Sequence, residues 1–254
     1  MERNPLVVVS SRIDNAARQV NARGTVASDH SGIPTAVQRA EAADIGCAIV
    51  DCHDEASEAA AKEAGAYTVR TDLNELPPTH NYKLPSGLTR IAHTVTRFDR
   101  HCNHDLIIHL PEHHADIDPI YLRAMMYPLA STAVAMATLV GPLTDDLDAD
   151  APKASVEWNE DRKVYVMPEA KVGTIGRFSR DAARLGSAGV YAHIPVYLYR
   201  RSALDRIVRQ PPSDLELEEN IEAIRVLELG VRVEALYVPG GAGSIGNDPE
   251  AVYD

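Results

Sequence analysis

Short apolar runs alternate along the chain with stretches whose apolar residues recur every three to four positions. Leu6–Val9 is a β-branched run that ends at Ser10, Ser11 and Arg12, which predicts a buried first strand with Arg12 at its carboxyl end. A polar stretch runs to about His30, and Gly32–Ile45 then places Ile33, Val37, Ala40 and Ile45 near helical spacing. Ala48–Val50 reads as a second strand, Glu55–Ala64 as an alanine-rich helix closed by Gly65, and Tyr67–Thr71 as a third strand. This βαβαβ rhythm predicts a parallel sheet.

Leu73–Pro85 holds several prolines and no period, so it predicts a long loop, with Ser86 as the cap of a helix striped by Leu88, Ile91, Ala92 and Val95. Leu106–Leu110 is the next strand, ending at Pro111 and Glu112; Asp118 caps a helix through Leu129, and Val134–Val140 is a further strand. Thr144–Asp150 is a solvated acidic loop, and Ser155–Trp158 with Lys163–Met167 predicts a hairpin turning at Asn159–Arg162. Gly173–Gly189, glycine-rich with Arg177, Arg180 and Arg184, reads as a mobile basic segment able to act as a lid. Ile194–Tyr199 is a strand, Ser202–Arg209 and Leu215–Leu229 are helices, the second ended by Gly230, and Arg232–Val238 is a last strand. With no repeat and no interdomain linker, residues 1–254 read as a single α/β domain.

The composition, 45% hydrophobic and 24% charged over 254 residues, excludes disordered and fibrous classes. No run approaches the ~18 apolar residues of a membrane span, and Leu6–Val9 is too short for a signal-peptide core, so a soluble cytoplasmic protein is expected. A net charge of −12 disfavours nucleic-acid binding. Most basic residues are arginines, whose planar guanidinium suits bidentate contact with phosphate or carboxylate, so anionic small molecules are the expected ligands. Cys47, Cys52 and Cys102 have no metal-type spacing and are expected to be free thiols.

Three strings carry a resemblance. His193-Ile-Pro-Val-Tyr-Leu-Tyr-Arg-Arg-Ser-Ala-Leu204 looks like an H-x-G-x-Y-x-Y-R strand, and Pro211-Pro-Ser-Asp-Leu-Glu-Leu-Glu-Glu-Asn-Ile-Glu-Ala-Ile-Arg-Val-Leu-Glu228 like a P-S-x-L-E-x-x-E-x-L-E-Q-L-R-x-L-E helix. Ser86-Gly-Leu-Thr-Arg-Ile-Ala92 looks like S-G-T-[DE]-R-x-A. Together these resemble the 3-deoxy-manno-octulosonate cytidylyltransferases, the CMP-Kdo synthetases, over nearly the whole chain. The resemblance implies a mainly parallel, Rossmann-like nucleotide-diphospho-sugar transferase sheet with a small antiparallel dimerisation extension, and hence a homodimer. It also implies attack by a sugar-acid hydroxyl on the α-phosphate of a nucleoside triphosphate, with magnesium. Arg12, Arg18 and Arg23 would be the phosphate-binding, catalytic cations; Ser10, Arg12, Ser86, Gly87 and Arg90 would hold the nucleotide; His193, Tyr197, Glu222 and Arg225 would hold the acidic co-substrate.

The chain departs from that pattern in three places. The phosphate loop, P-A-R-x-x-S-x-R-x-P-G-K in the family, keeps Arg12 and Arg18 but loses P-G-K, where Arg23 could supply the cation. The metal-binding Q-G-D-E-P becomes Pro111-Glu-His-His-Ala115, which puts His113 at the altered metal position, and near the carboxyl end the second Asp is either replaced by Asn247 or shifted to Asp248. Magnesium prefers oxygen donors, so its use here is in question. On the sugar side Ala223 stands for Gln, Pro195 for Gly, and Val166-Met167-Pro168 for F-S-R, with Arg177 and Arg180 as substitutes.

His109, Glu112, His113, His114 and Asp116 can alternatively be drawn as a zinc, manganese or iron site, although Pro111 argues against the helix that would align His109 with His113. The plain alternative is polar loop histidines. Two function classes follow: a divergent nucleotidyltransferase with an altered metal site, or a repurposed or silent homologue that uses the pocket for another reaction, a ligand or a partner subunit.

Overall fold

The computed structural model describes residues 4–12, 30–77, 86–144, 150–162, 164, 167, 170–186 and 189–239. One nine-stranded sheet runs through it in the order β3-β2-β1-β4-β8-β5-β9-β7-β6. The strands are β1 (Leu6–Ser10), β2 (Cys47–Cys52), β3 (Tyr67–Arg70), β4 (Leu106–Pro111), β5 (Met136–Gly141), β6 (Lys153–Trp158), β7 (Val172–Ser179), β8 (Gly189–Arg200) and β9 (Val233–Tyr237). The helices are α1 (Gly32–Ala43), α2 (Glu55–Glu63), α3 (Gly87–Phe98), α4 (Pro119–Ala124), α5 (Arg201–Ile207), α6 (Asp214–Glu219) and α7 (Ala223–Glu228).

β1 is apolar from Leu6 to Val9 because both its faces are covered. Val7 and Val9 join the core under α1, α2 and α4, whereas Leu6 and Val8 pack on the opposite side with Leu88, Ile91 and Val95 of α3 and Leu204 of α5. The chain therefore changes faces of the sheet between α2 and α3. A crevice opens at such a reversal, beyond the carboxyl ends of β1 and its neighbours β2 and β4, and doubly wound sheets bind ligands there.

Only β3, β2, β1 and β4 form a continuous parallel run. β8 enters antiparallel between β4 and β5, β9 pairs parallel with β5, and β7 and β6 close the far edge antiparallel. The sheet is thus mixed rather than mainly parallel. The register slips between Thr138 and Leu139 opposite Pro195 and Val196, and the irregularity accommodates a proline that has no N–H to give to the ladder.

The structure departs from the sequence expectations at several elements. β6 pairs with β7 and β8, while Lys163, Tyr165 and Val166 of the second strand expected for the hairpin lie outside the described residues. The expected lid begins with β7 itself: a Cβ on Gly173 would lie 2.6 Å from the Glu157 carbonyl oxygen, so glycine there serves close strand approach. Its arginines are tied down as well. Arg180 donates its backbone N–H to Glu219 Oε2 at 2.7 Å, and Arg184 pairs with Glu218 and Glu219 at 2.9 and 3.0 Å. The single helix expected over Leu215–Leu229 is broken at Asn220, which adopts φ +52°. The helix capped by Asp118 stops at Ala124, and Pro128–Ala130 forms a separate 3-10 turn.

Cys47, Cys52 and Cys102 are free thiols. No helix among the described residues is long and apolar enough to cross a membrane.

Candidate functional site

The first strand delivers Ser10, Ser11 and Arg12 into the crevice, and each finds a different neighbour. Ser10 Oγ lies 2.8 Å from His109 Nε2 on β4, Ser11 Oγ lies 2.8 Å from His53 Nδ1 just after β2, and the Arg12 backbone N–H donates to Glu112 Oε1 at 2.8 Å. Glu112 is 5% exposed and opens a 3-10 turn after β4. It also faces His30, whose Nδ1 is 3.2 Å from both carboxylate oxygens. Gly32 makes this approach possible, because a Cβ there would sit 2.4 Å from the Glu112 carbonyl oxygen.

His30 Nε2 in turn lies 3.2 Å from Asp54 Oδ2, and His53 Nε2 lies 3.3 Å from the same oxygen. Asp54 is anchored by its other oxygen, which caps α2 by accepting the Ser57 N–H at 2.7 Å. Burial works against charge on His30, but the hydrogen bond and charge of Glu112, with Asp54 beyond, outweigh it and raise its pKa above the usual 6.5. His53 is shifted the other way by burial and by the Arg90 charge. None of these three residues was singled out in the sequence. The available signal was Asp51-Cys-His-Asp54 at the end of an apolar strand, and nothing local brings His30 to it.

Ser86 caps α3, its Oγ accepting the Thr89 N–H at 3.2 Å, and Gly87 begins the helix. Arg90 does not project into open space. It is 1% exposed and donates to Asp51 Oδ2 at 2.6 Å and to the Ser11 carbonyl at 2.9 Å. Asp51 also accepts from Thr71 and Thr94 at 2.6 and 2.9 Å, so the arginine locks α3 to the ends of β1 and β2.

The sugar-side residues fall into two groups. Glu222 accepts the Leu88 N–H at 2.9 Å, which joins the start of α3 to the start of α7. His193 and Tyr197 point from β8 into a buried aromatic and imidazole row, with ring centres 5.6 Å apart and His109 6.1 Å from Tyr197 on the far side. Thr138 Oγ1 lies 3.1 Å from His193 Nε2. Arg225, 3% exposed, is held by Glu216 through two contacts of 2.9 Å.

Burial pushes His109 and His193 down to about 3. It also drives His114 well below 6.5, helped by the neighbouring His113, His193 and His109. Both ring nitrogens of His114 lack a hydrogen-bond partner among the described residues. His113, half-buried, has its ring centre 4.3 Å from that of His114. The structure therefore places Ser10, Arg12 and His113 at the carboxyl ends of the adjacent strands β1 and β4, with the Ser86–Arg90 segment joined to Glu222 through the Leu88 N–H. Arg18, Arg23, Asn247 and Asp248 lie outside the described residues.

Comparison with known proteins decides the family. The chain is 32% identical to 3-deoxy-manno-octulosonate cytidylyltransferase of Rhodospirillum centenum over 245 residues, covering 93% of this chain and 86% of the relative. It belongs to the 3-deoxy-manno-octulosonate cytidylyltransferase family. The namesake of Methylobacterium nodulans is 33% identical over 245 residues, with 92% of this chain and 89% of the relative covered. Among solved structures, a CMP:2-keto-3-deoxy-manno-octonic acid synthetase complexed with CTP superposes with a TM-score of 0.67 at 18% identity, covering 94% of this chain and 92% of that one. A UDP-glucose pyrophosphorylase complexed with UDP-glucose shares the fold at a TM-score of 0.57 and 12% identity, covering 92% and 91% of the two chains. No protein-family model matches the chain.

The magnesium that membership of this family implies has to be judged against the donors present. After β4 they include the imidazoles of His113 and His114, and the buried carboxylate of Glu112 is already shared between the Arg12 N–H and His30. A hard cation demanding oxygen ligands does not fit this set.

Proposed function

We propose that the protein is a nucleotidyltransferase that moves CMP, or another nucleotide, from a nucleoside triphosphate onto an acidic sugar or related hydroxy acid. The observation that carries this reading is the match to cytidylyltransferases over more than nine-tenths of the chain. A hydroxyl oxygen of the acceptor attacks the α-phosphorus and releases its proton to solvent, the bond from that phosphorus to the β-phosphate bridge breaks, and pyrophosphate leaves with the electron pair. Such a step needs cations along the phosphates and a donor surface for the acceptor's carboxylate.

Arg12, just after β1, meets the phosphates with Arg18 and Arg23 of the chain that follows it. Ser10, Ser86 and Gly87 line the nucleotide side. Arg90 acts by position, since its contact with Asp51 fixes α3 and therefore the backbone around Ser86 and Gly87. Glu222, His193 and Tyr197 line the acceptor side. His193 stays uncharged at neutral pH and serves as a neutral donor or acceptor rather than a cation. Arg225, clamped by Glu216, holds the frame of α6 and α7. His113 offers magnesium no oxygen donor, and Asp248 is a further candidate for metal binding. The same reading carries a single-domain homodimer, which sedimentation checks.

The test is calorimetry with CTP and other nucleoside triphosphates, followed by a pyrophosphate-release assay across a panel of sugar acids. Nucleotide binding with acceptor-dependent pyrophosphate release is the expected result. Absence of nucleotide binding with any divalent metal, and without one, would remove the transferase reading and leave a silent homologue that serves another ligand or a partner subunit.

A further inference from the structure

We propose that His30, His53 and Asp54 form a binding site for a borderline transition metal of the zinc class, at the carboxyl ends of β1 and β2 and distinct from the position of His113. Their donor atoms are the set of His, Cys and carboxylate groups among the described residues that converge within 4.8 Å of one another. His30 Nε2 and His53 Nε2 face one oxygen, Asp54 Oδ2, at 3.2 and 3.3 Å. An ion bound tetrahedrally at zinc-like distances of about 2.0–2.2 Å separates neighbouring donors by about 3.4 Å, so both nitrogen–oxygen separations already match edges of such a polyhedron.

The opposite nitrogen of each imidazole gives an independent indication. His30 Nδ1 is held by Glu112 at 3.2 Å, and His53 Nδ1 by Ser11 Oγ at 2.8 Å. A hydrogen bond from Nδ1–H to a carboxylate or hydroxyl fixes the tautomer that leaves the Nε2 lone pair free for a metal, and it sets the ring plane. Asp54 is prepared in the same manner, with Oδ1 spent on the cap of α2 and Oδ2 turned to the histidines. Each ligand is thus fixed by an outer partner before an ion arrives.

The donor chemistry sets the class of ion. Two imidazoles and one carboxylate suit zinc, cobalt(II) or iron(II) and suit magnesium poorly. Three protein ligands leave a fourth position for water or a substrate oxygen, and Asp54, whose side chain is 42% exposed, marks the side open to solvent. Glu112 links the site to the crevice, because it accepts the Arg12 N–H as well as contacting His30. The inference stands apart from nucleotidyl transfer, since metal binding is read without turnover.

The chelator-stripped full chain is titrated with zinc chloride by calorimetry and with cobalt(II) by visible absorption. One equivalent of zinc and the intense absorption of four-coordinate cobalt are expected. His53→Ala and Asp54→Asn should each weaken zinc binding by about 100-fold or more. Glu112→Gln should weaken it by about 10- to 100-fold through loss of the outer partner. His113→Asn should leave it unchanged. Circular dichroism and urea midpoints confirm that each variant is folded, and Asp54→Asn retains the capping oxygen if His53→Ala does not fold. No stoichiometric zinc binding by the wild type would overturn the proposal, as would binding that survives in His53→Ala and is lost in His113→Asn. Loss of pyrophosphate release with zinc binding intact would count against the transferase reading alone.

Discussion

Lowering the pH from 7 to 5 should cost this protein stability through its buried neutral histidines, and His193 allows that cost to be isolated. His193 is 4% exposed on β8 and burial holds its pKa at about 3, against 6.5 for an unburied imidazole. The unfolded chain therefore takes up a proton as pH falls through 6.5 while the folded chain does not. Stability is lost from that point downward until the folded protein itself titrates near 3. Between pH 7 and 5 the linkage relation gives about 2 kcal/mol for one such histidine. His109, also held at about 3, doubles the figure to about 4 kcal/mol, a large part of the ~5–15 kcal/mol that holds a domain together.

Burial alone would raise Asp54 and Asp99, but their hydrogen bonds hold both below the usual 3.8, so their contributions are lost only at lower pH. His30 works in the opposite sense across the same window, because its folded pKa is raised. It is common to wild type and variant and cancels in their difference. Urea unfolding at pH 7, 6 and 5 in the presence of chelator would compare wild type with His193→Gln, which keeps a polar group near Thr138. The variant should lose about 2 kcal/mol less than the wild type over that interval. Parallel losses in the two proteins would refute the assignment of His193 as a buried neutral group.

Three further outcomes are expected. Arg90→Leu leaves the Asp51 carboxylate buried without its cation and should cost about 3–5 kcal/mol in urea unfolding; a loss below about 1 kcal/mol would show that the pair does not lock α3. Gly32→Ala forces a Cβ against the Glu112 carbonyl and should cost about 1–3 kcal/mol, whereas a raised urea midpoint would show that the approach of α1 to Glu112 is loose. Arg12→Ala should weaken CTP binding at least about tenfold, or about 1.4 kcal/mol, in calorimetry, and unchanged affinity would remove its side chain from the phosphate site.

The legibility of each element followed from whether its signal was local. β1, β2 and β4 announced themselves as apolar runs because both faces of each are covered, and Ser86 announced α3 because capping is settled within four residues. The break at Asn220 was hidden, since the apolar period continues across it. What divides α6 from α7 is the pull of Glu219 toward Ser179 and Arg180 and of Glu216 toward Arg225. The supposed lid was misleading for a related reason: glycine and arginine suggest mobility in isolation, yet here glycine admits a neighbouring strand, Arg184 pairs with carboxylates on α6, and Arg180 donates to the Glu219 carbonyl.

The candidate site divides in the same way. Arg12, the Ser86–Arg90 segment, His193, Tyr197, Glu222 and Arg225 could be named from motifs, but the motifs did not say that Arg90 and Arg225 are committed to buried carboxylates. His30, His53 and Asp54 carried no motif, because the chain between His30 and His53 passes through α1 and β2 before the two rings meet.

The sequence by itself determined the alternation of strand and helix, the capped start of α3, and the placement of Arg12 at a strand end, because periodicity and capping act over a few residues. Tertiary structure alone decided the antiparallel entry of β8, the neutral state of the buried histidines, and the convergence of His30, His53 and Asp54 beside Glu112. Strand order, desolvation and the meeting of distant side chains depend on how separate elements pack, and no local spacing encodes them.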